Sequence, residues 1–184
     1  TEANKIYPNI ARGVHAPKRQ QVFRKQPLTV AQVGTLLKYE HAEQSPRDYA
    51  IINLLVRTGL RTIEVIRANV GDIVFRGSQR VLLVQGKGRD AKDNFVILTE
   101  AAFLPIFEYL KTRQDATPDA PLFASESNNN AGGRLTTRAV SAIAKHALQS
   151  VGLDNRVFTA HSLRHTAAVN ILRAGGSLEQ VQHT

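Results

Sequence analysis

The sequence contains no cysteine, no methionine and no tryptophan among its 184 residues. Without cysteine, the protein forms no disulfide and offers no thiolate ligand to a metal ion. It also lacks any stretch near the ~18 consecutive apolar residues that cross a bilayer, and it has no hydrophobic signal core at its start. These absences predict a cytoplasmic protein with no place in the membrane.

Acidic residues are scarce beside basic ones, since 15 Asp and Glu face 24 Lys and Arg and the formal net charge is +9. Such an excess favours a polyanionic partner, although a basic but merely solvated surface is the alternative. Before residue 29 the chain combines dense positive charge with three prolines and no helical period, which predicts an extended linker along a phosphate backbone. Its basic residues are Lys5, Arg12, Lys18, Arg19, Arg24 and Lys25.

The hydrophobic pattern predicts one mostly helical α+β domain. Apolar residues recur at helical spacing in six segments, which begin near residues 29, 49, 62, 99, 136 and 160. Three short apolar runs, at 72–75, 80–85 and 95–98, are separated by turn residues and predict a small antiparallel sheet. We expect Thr62 to cap the short third helix, and Pro105 to lie near the first turn of its helix, where proline is tolerated.

An arginine stands where the third helix begins, in Thr58-Gly59-Leu60-Arg61-Thr62-Ile63-Glu64. Because the helix dipole disfavours a cation at this end, the position is explained if an anion binds there, with Glu64 holding the guanidinium. A simple Arg61–Glu64 surface pair is the alternative.

Lys87 lies between two glycines at the predicted tip of a hairpin. Flanking glycines let the backbone approach another molecule closely, and a lysine there could reach a phosphate or donate a proton. A lysine at a hairpin tip also keeps a turn soluble, and for this residue taken alone that is the simpler interpretation.

His161 and Arg164 are three residues apart and share one face of the last predicted helix. Arginine binds phosphate oxygens in bidentate fashion, and a neighbouring histidine can bind the same phosphate or transfer a proton. His165 follows His161 by four residues, but the zinc motif with that spacing requires glutamate where Ser162 stands, and no third ligand is evident. We therefore predict no metal site and a packing role for His165.

Four motifs in this order make the sequence resemble the catalytic domain of tyrosine recombinases, the phage integrase family. They are TGLR followed by Glu64, GKG between two strands, PLF at 121–123 and HSLRHT at 161–166. The resemblance covers residues 27–184. Residues 1–26 resemble the linker from a separate DNA-gripping domain that the chain does not contain.

The resemblance implies site-specific recombination of double-stranded DNA through a 3′-phosphotyrosyl intermediate, with no metal and no other cofactor. Arg61 and Arg164 match the two arginines that neutralise the nonbridging phosphate oxygens. Lys87 matches the lysine that protonates the leaving 5′-oxygen, His161 the histidine that assists proton transfer, and Glu64 a supporting acidic residue. The expected DNA-binding residues outside this set are Lys18, Arg19, Arg24, Lys25 and Arg89. A homotetramer on DNA and a bacterial or phage, nucleoid-associated setting are also implied.

The sequence departs from the family pattern at its end. It lacks an initiator methionine and stops at Thr184, before the helix on which the family carries its tyrosine, so we expect an inactive fragment without a nucleophile. Asn94 and Ile97 stand where the family often has arginine and proline. Two other interpretations remain open: a noncatalytic DNA-binding module on a degenerate recombinase scaffold and, more distantly, a type IB topoisomerase, which shares this chemistry.

Overall fold

A computed structural model shows helices packed around one apolar core with a small sheet beside them. It describes residues 26–86, 88–154 and 157–175, and the structural statements below concern these residues. Its helices are α1 (Val30–Glu43), α2 (Pro46–Thr58), α3 (Thr62–Arg67), α4 (Glu100–Lys111), α5 (Thr137–Ser150) and α6 (Ala160–Arg173). Its strands are β1 (Ile73–Arg76), β2 (Gln79–Val84) and β3 (Asn94–Ile97). The predicted mostly helical α+β class is confirmed.

Helix α2 is the centre of the core, because it packs against α1, α4, α5 and α6. The helix begins at Ser45, whose hydroxyl accepts a hydrogen bond from the backbone N–H of Asp48, and proline occupies its first turn. Its residues from Ala50 to Val56 are all buried, and each fully buried aliphatic side chain contributes about 1.5–3 kcal/mol to folding. Gly59, at φ 69°, ends the helix in the left-handed conformation that glycine favours. Burial of α2 thus fixes the position of the turn that follows it.

The three strands form an antiparallel sheet in the order β1-β2-β3. Leu82 of the central strand is opposite Ile73 on one side and Val96 on the other. Leu82 and Val96 are both buried in the core. The strand boundaries differ from the predicted ones by one residue, which is the usual scatter of strand ends.

The predicted cap of α3 is wrong. Arg61 occupies the N-cap position and Thr62 is the first helical residue. The backbone N–H of Arg61 donates a hydrogen bond to Oε2 of Glu64 at 2.6 Å. A glutamate at the third helical position therefore binds the backbone N–H of the N-cap residue, and among the described residues no threonine hydroxyl makes a cap hydrogen bond at this end of α3.

Pro105 lies in the second turn of α4, not near the first as predicted, because the helix already begins at Glu100. Proline has no backbone N–H, so the carbonyl of Ala101 loses the hydrogen bond that position 105 would otherwise donate. Asn53 of α2, fully buried, donates its side-chain amide to this carbonyl at 2.9 Å. The two helices are thus joined at the gap that the proline leaves.

The start of the described domain is attached to α6. The backbone N–H of Leu28 donates to the hydroxyl of Thr166 at 2.8 Å, across 138 residues of sequence. Thr166 in turn donates to the carbonyl of Ser162 within its own helix, at 2.7 Å. In the part of the chain that the structure describes, no helix is long and apolar enough to cross a membrane.

Candidate functional site

Glu64 is a buried carboxylate, 3% exposed, that holds Arg61 through two hydrogen bonds. Its Oε1 accepts from the guanidinium of Arg61 at 2.8 Å, while its Oε2 accepts from that residue's backbone N–H. Oε2 also lies 4.0 Å from Nη1 of Arg164. One carboxylate therefore holds two guanidiniums from helices that are far apart in the sequence. Such pairing is what makes its burial tolerable.

Arg164 reaches the same place from α6, and its guanidinium donates to the carbonyl of Gly59. Its side chain is only 19% exposed. Burial lowers the pKa of Arg164, the positive charge of Arg61 lowers it further, and Glu64 partly offsets both effects. Arginine nevertheless stays protonated in proteins, so the group presents a partly desolvated positive charge. The two guanidiniums and the single carboxylate carry a net charge of +1, which favours an anion at this point.

A pocket of about 930 Å³ opens beside this cluster, between the start of α3, helix α5 and the start of α6. Arg61, His161 and Arg164 all line it. His161 is exposed, which leaves its imidazole accessible from the pocket. The remaining lining residues are Leu60, Thr62, Ile63, Ser141, Lys145, Leu148, Gln149, Leu153, Asp154, Phe158, Thr159 and Ala160.

The arrangement suits a tetrahedral oxyanion such as a phosphodiester. Two planar guanidiniums offer several fixed N–H donors, and the imidazole adds a group able to move a proton. The described residues contain no group of three or more His, Cys, Asp or Glu side chains that could hold a metal ion.

Several of the predicted site residues fall elsewhere. Lys87 and the linker residues Lys18, Arg19, Arg24 and Lys25 lie outside the described residues. Arg89 is described and exposed, and its guanidinium pairs with Asp93 rather than entering the pocket. The structure thus brings Arg61, Glu64, His161 and Arg164 together.

Tyrosine side chains are absent from the pocket lining in the described part of the chain. Tyr109 is buried, and its hydroxyl accepts the backbone N–H of Ala124 at 3.0 Å. Tyr49 packs edge-on against the ring of His41, with centroids 5.0 Å apart. Tyr39, the remaining tyrosine among the described residues, also lies away from the pocket.

The structure adds three contributors that the sequence analysis missed. The carbonyl of Gly59 binds Arg164, Lys145 lines the pocket from α5, and Arg67 donates to the carbonyl of Gly86 at 3.1 Å. Sequence alone carries no signal for a backbone acceptor. Lys145 belongs to a regular amphipathic helix, and the packing of α5 against α3 brings that helix to the pocket that Arg61 also lines.

Comparison with known proteins gives one consistent result. The model of the phage integrase family matches residues 26–184. The tyrosine recombinase XerC of Caldanaerobacter subterraneus is 31% identical over 179 residues, which are 95% of this chain and 47% of that protein. XerC of Pelobacter propionicus is 32% identical over 176 residues, covering 95% and 55% respectively. The chain therefore spans about half the length of the curated relatives it matches.

The crystal structure of XerA recombinase is also similar, with a TM-score of 0.69 and 26% identity. The match covers 86% of this chain and 55% of the XerA chain. Motifs, fold and relatives agree, and this chain belongs to the phage integrase family, the family of the tyrosine recombinases.

Proposed function

We propose that this chain carries the phosphate-binding and proton-transfer groups of a site-specific DNA recombinase that works through a 3′-phosphotyrosyl intermediate. The observation that carries the proposal is the pair Arg61 and Arg164, held beside one pocket by the buried carboxylate of Glu64. In the proposal, residues 27–184 belong to the catalytic domain and residues 1–26 to a DNA-binding linker.

The reaction assigns one role to each group. A tyrosine oxygen forms a bond to phosphorus while the bond between phosphorus and the 5′-oxygen breaks. Arg61 and Arg164 neutralise the nonbridging oxygens as their charge grows in the transition state. Lys87 gives a proton to the leaving 5′-oxygen, and His161 takes the proton that the attacking hydroxyl loses. Reversal of these steps with a new 5′-hydroxyl rejoins the strand without a cofactor, because the phosphotyrosyl bond retains the bond energy.

The nucleophile in this proposal is a tyrosine that follows α6 in the active protein, as the family resemblance implies. The buried hydroxyl of Tyr109, bound to Ala124, supports leaving that residue out. Residues 1–184 by themselves then bind DNA without cutting it. Below, the tyrosine-bearing form means residues 1–184 followed by the tyrosine segment of a XerC relative.

The proposed partner is double-stranded DNA, bound by a homotetramer in the cytoplasm of a bacterium or in a phage-infected cell. The net charge of +9 supports a polyanionic partner. XerH recombinase, whose structure was solved bound to its difH substrate, has a similar fold, with a TM-score of 0.70 over 86% of this chain and 45% of the XerH chain, at 23% identity.

The proposal is tested with Arg61→Ala and Arg164→Ala in the tyrosine-bearing form. Each arginine acts on charge that develops in the transition state, so each change should slow strand cleavage about 100- to 1000-fold. DNA affinity, measured by fluorescence anisotropy, should change far less. The control is Arg138→Ala, which removes an exposed arginine of α5 that does not line the pocket, and it should cleave normally.

Equal losses of binding and cleavage in the two variants would instead make these arginines simple DNA contacts. A tyrosine-bearing form that binds a duplex but never cleaves it would favour the second candidate function. That candidate is a noncatalytic DNA-binding module, which the absence of tyrosine from the described pocket lining favours.

A further inference from the structure

Helix α3 joins the arginine cluster to the base of the β2–β3 loop. Arg61 stands at its N-cap and Arg67 is its last residue, six residues later, which is about 9 Å along the helix axis. We propose that Arg67 is a positioning residue for proton donation to the leaving oxygen, because it binds the carbonyl of Gly86, the residue that precedes Lys87 in the chain. The inference rests on the proposed function and extends it to a residue outside the four motifs.

The contact that carries this inference is between a side chain and a backbone carbonyl. Nη1 of Arg67 donates to the carbonyl of Gly86 at 3.1 Å, and Gly86 is buried. The same carbonyl accepts the backbone N–H of Arg89 at 3.3 Å, while the side chain of Gln85 donates to the carbonyl of Arg89 at 2.7 Å. The loop is thus closed on itself at its base and attached to α3 through Gly86.

The guanidinium of Arg67 forms no ion pair with the acidic side chains of the described residues, so its partner there is this carbonyl. Lys87 lies outside the described residues, but it is joined to Gly86 by a peptide bond. The inference therefore depends on the described contact at Gly86 and on this covalent link.

Placement matters because a general acid must come within about 2.6–3.2 Å of the oxygen that it protonates. A displacement of about 1 Å in a reacting group can cost about 100-fold in rate. Helix α3 carries Arg61 at one end and, at the other end, Arg67, which binds Gly86. The helix therefore fixes the distance between Arg61 and the base of the β2–β3 loop. Arg67 would then affect leaving-group protonation without touching the DNA.

Arg134 provides a matched control at the same end of α3. Its guanidinium donates to the carbonyls of Ile66 and Ala68 and to the side chain of Asn69. It therefore supports the end of the helix but does not bind Gly86. Arg134→Ala therefore removes support from the end of α3 without removing the hydrogen bond to Gly86.

The test compares Arg67→Ala with the unchanged tyrosine-bearing form on two DNA substrates, one with the normal 5′-bridging oxygen and one with a 5′-bridging sulfur. A thiolate leaves without being protonated. Arg67→Ala should therefore cleave the oxygen substrate about 100-fold more slowly and the sulfur substrate within about threefold of the unchanged rate. Arg67→Lys keeps a donor for the Gly86 carbonyl and should recover most of the rate. Arg134→Ala should affect both substrates equally.

An equal loss on both substrates, or no loss on either, overturns the inference. Lys87→Ala, measured on the same two substrates, shows whether a failure lies with the inference about Arg67 or with the proposed function. If sulfur does not rescue Lys87→Ala, the general-acid assignment itself fails. If sulfur rescues Lys87→Ala but not Arg67→Ala, the failure belongs to Arg67 alone.

A second measurement needs no cleavage and uses residues 1–184 as they stand. Hydrogen exchange at the amide of Arg89, which donates to Gly86, should become about tenfold faster in Arg67→Ala and stay unchanged in Arg134→Ala. Unchanged exchange in folded Arg67→Ala would also overturn the inference. If Arg67→Ala does not fold, the Arg67→Lys and Arg67→Gln variants take its place in both measurements, with lysine expected to preserve the slow exchange and glutamine to lose it.

Discussion

At the scale of single residues, Glu40 is a buried carboxyl group outside the site. It lies on α1, is 1% exposed, and its Oε1 has no hydrogen-bond partner among the described residues. Burial, and secondarily the negative charge of Asp48, raises the pKa of Glu40 from 4.5 to about 7. The folded protein thus binds a proton that the unfolded chain releases between these pH values. The contribution of Glu40 to the free energy of unfolding is greatest below pH 4.5 and falls as pH rises to about 7.

We therefore predict that Glu40→Gln removes a pH dependence. Glutamine stays neutral, so the free energy of unfolding of the variant, relative to the original protein, should rise by about 3 kcal/mol between about pH 4.5 and about pH 8.5. Urea denaturation at several pH values measures the difference and cancels the other titrating groups. Glu43→Gln, an exposed change on the same helix, is the control. Two parallel stability curves for Glu40→Gln would contradict the prediction.

At the scale of helices and strands, the contact between α2 and α4 depends on a proline and an asparagine together. Asn53→Ala should lower the free energy of unfolding by about 1–3 kcal/mol, because the carbonyl of Ala101 then has no donor from position 105 or from α2. In a Pro105→Ala background the same change should cost about 1 kcal/mol less, since the backbone N–H restored at position 105 can donate to Ala101 along the helix. Chemical denaturation of the four proteins in this cycle measures the coupling, and purely additive losses would exclude it.

The sequence predicted the elements well because their determinants are local. Thr29 caps α1, Gly59 ends α2 and a turn at Gly77 joins two strands, and each of these features depends on residues close by in the sequence. Thr62 and Pro105 were misplaced for a different reason. At the start of α3, the carboxylate of Glu64 binds the backbone N–H of Arg61, which is the N-cap residue in place of Thr62. In α4, the side-chain amide of Asn53 binds the Ala101 carbonyl that Pro105 leaves without a donor.

The side chains of the candidate site were predictable from the sequence, but two of the contacts that position them were not. Arg61, Glu64, His161 and Arg164 form recognisable local patterns, and the structure gathers them around one pocket or its supporting carboxylate. The carbonyl of Gly59 and the contact made by Arg67 were not predictable, because their partners are remote in sequence or part of the backbone. Arg164 and Gly59, for example, are 105 residues apart.

At the scale of the whole molecule, the charge of +9 makes salt the natural probe of DNA binding. If residues 1–184 neutralise about six phosphates, the logarithm of duplex affinity should fall against the logarithm of salt with a slope of about −5. Removing residues 1–25 deletes six basic residues and should flatten the slope. Fluorescence anisotropy between about 50 and 200 mM salt provides the slopes. A flat response from the intact chain would argue against a DNA-binding surface.

The hydrogen bond between Leu28 and Thr166 has a consequence for distances along DNA. Thr166 lies two residues after Arg164 on α6, so this hydrogen bond holds Leu28 next to the turn of α6 that carries Arg164. If residues before Leu28 bind DNA and Arg164 binds the cut phosphate, as proposed above, the chain before Leu28 sets how far apart these two contacts lie on the duplex. One extended residue spans at most about 3.3–3.6 Å, close to the ~3.4 Å between successive base pairs. Each residue added to or removed from the proposed linker should then move the cut by at most about one base pair.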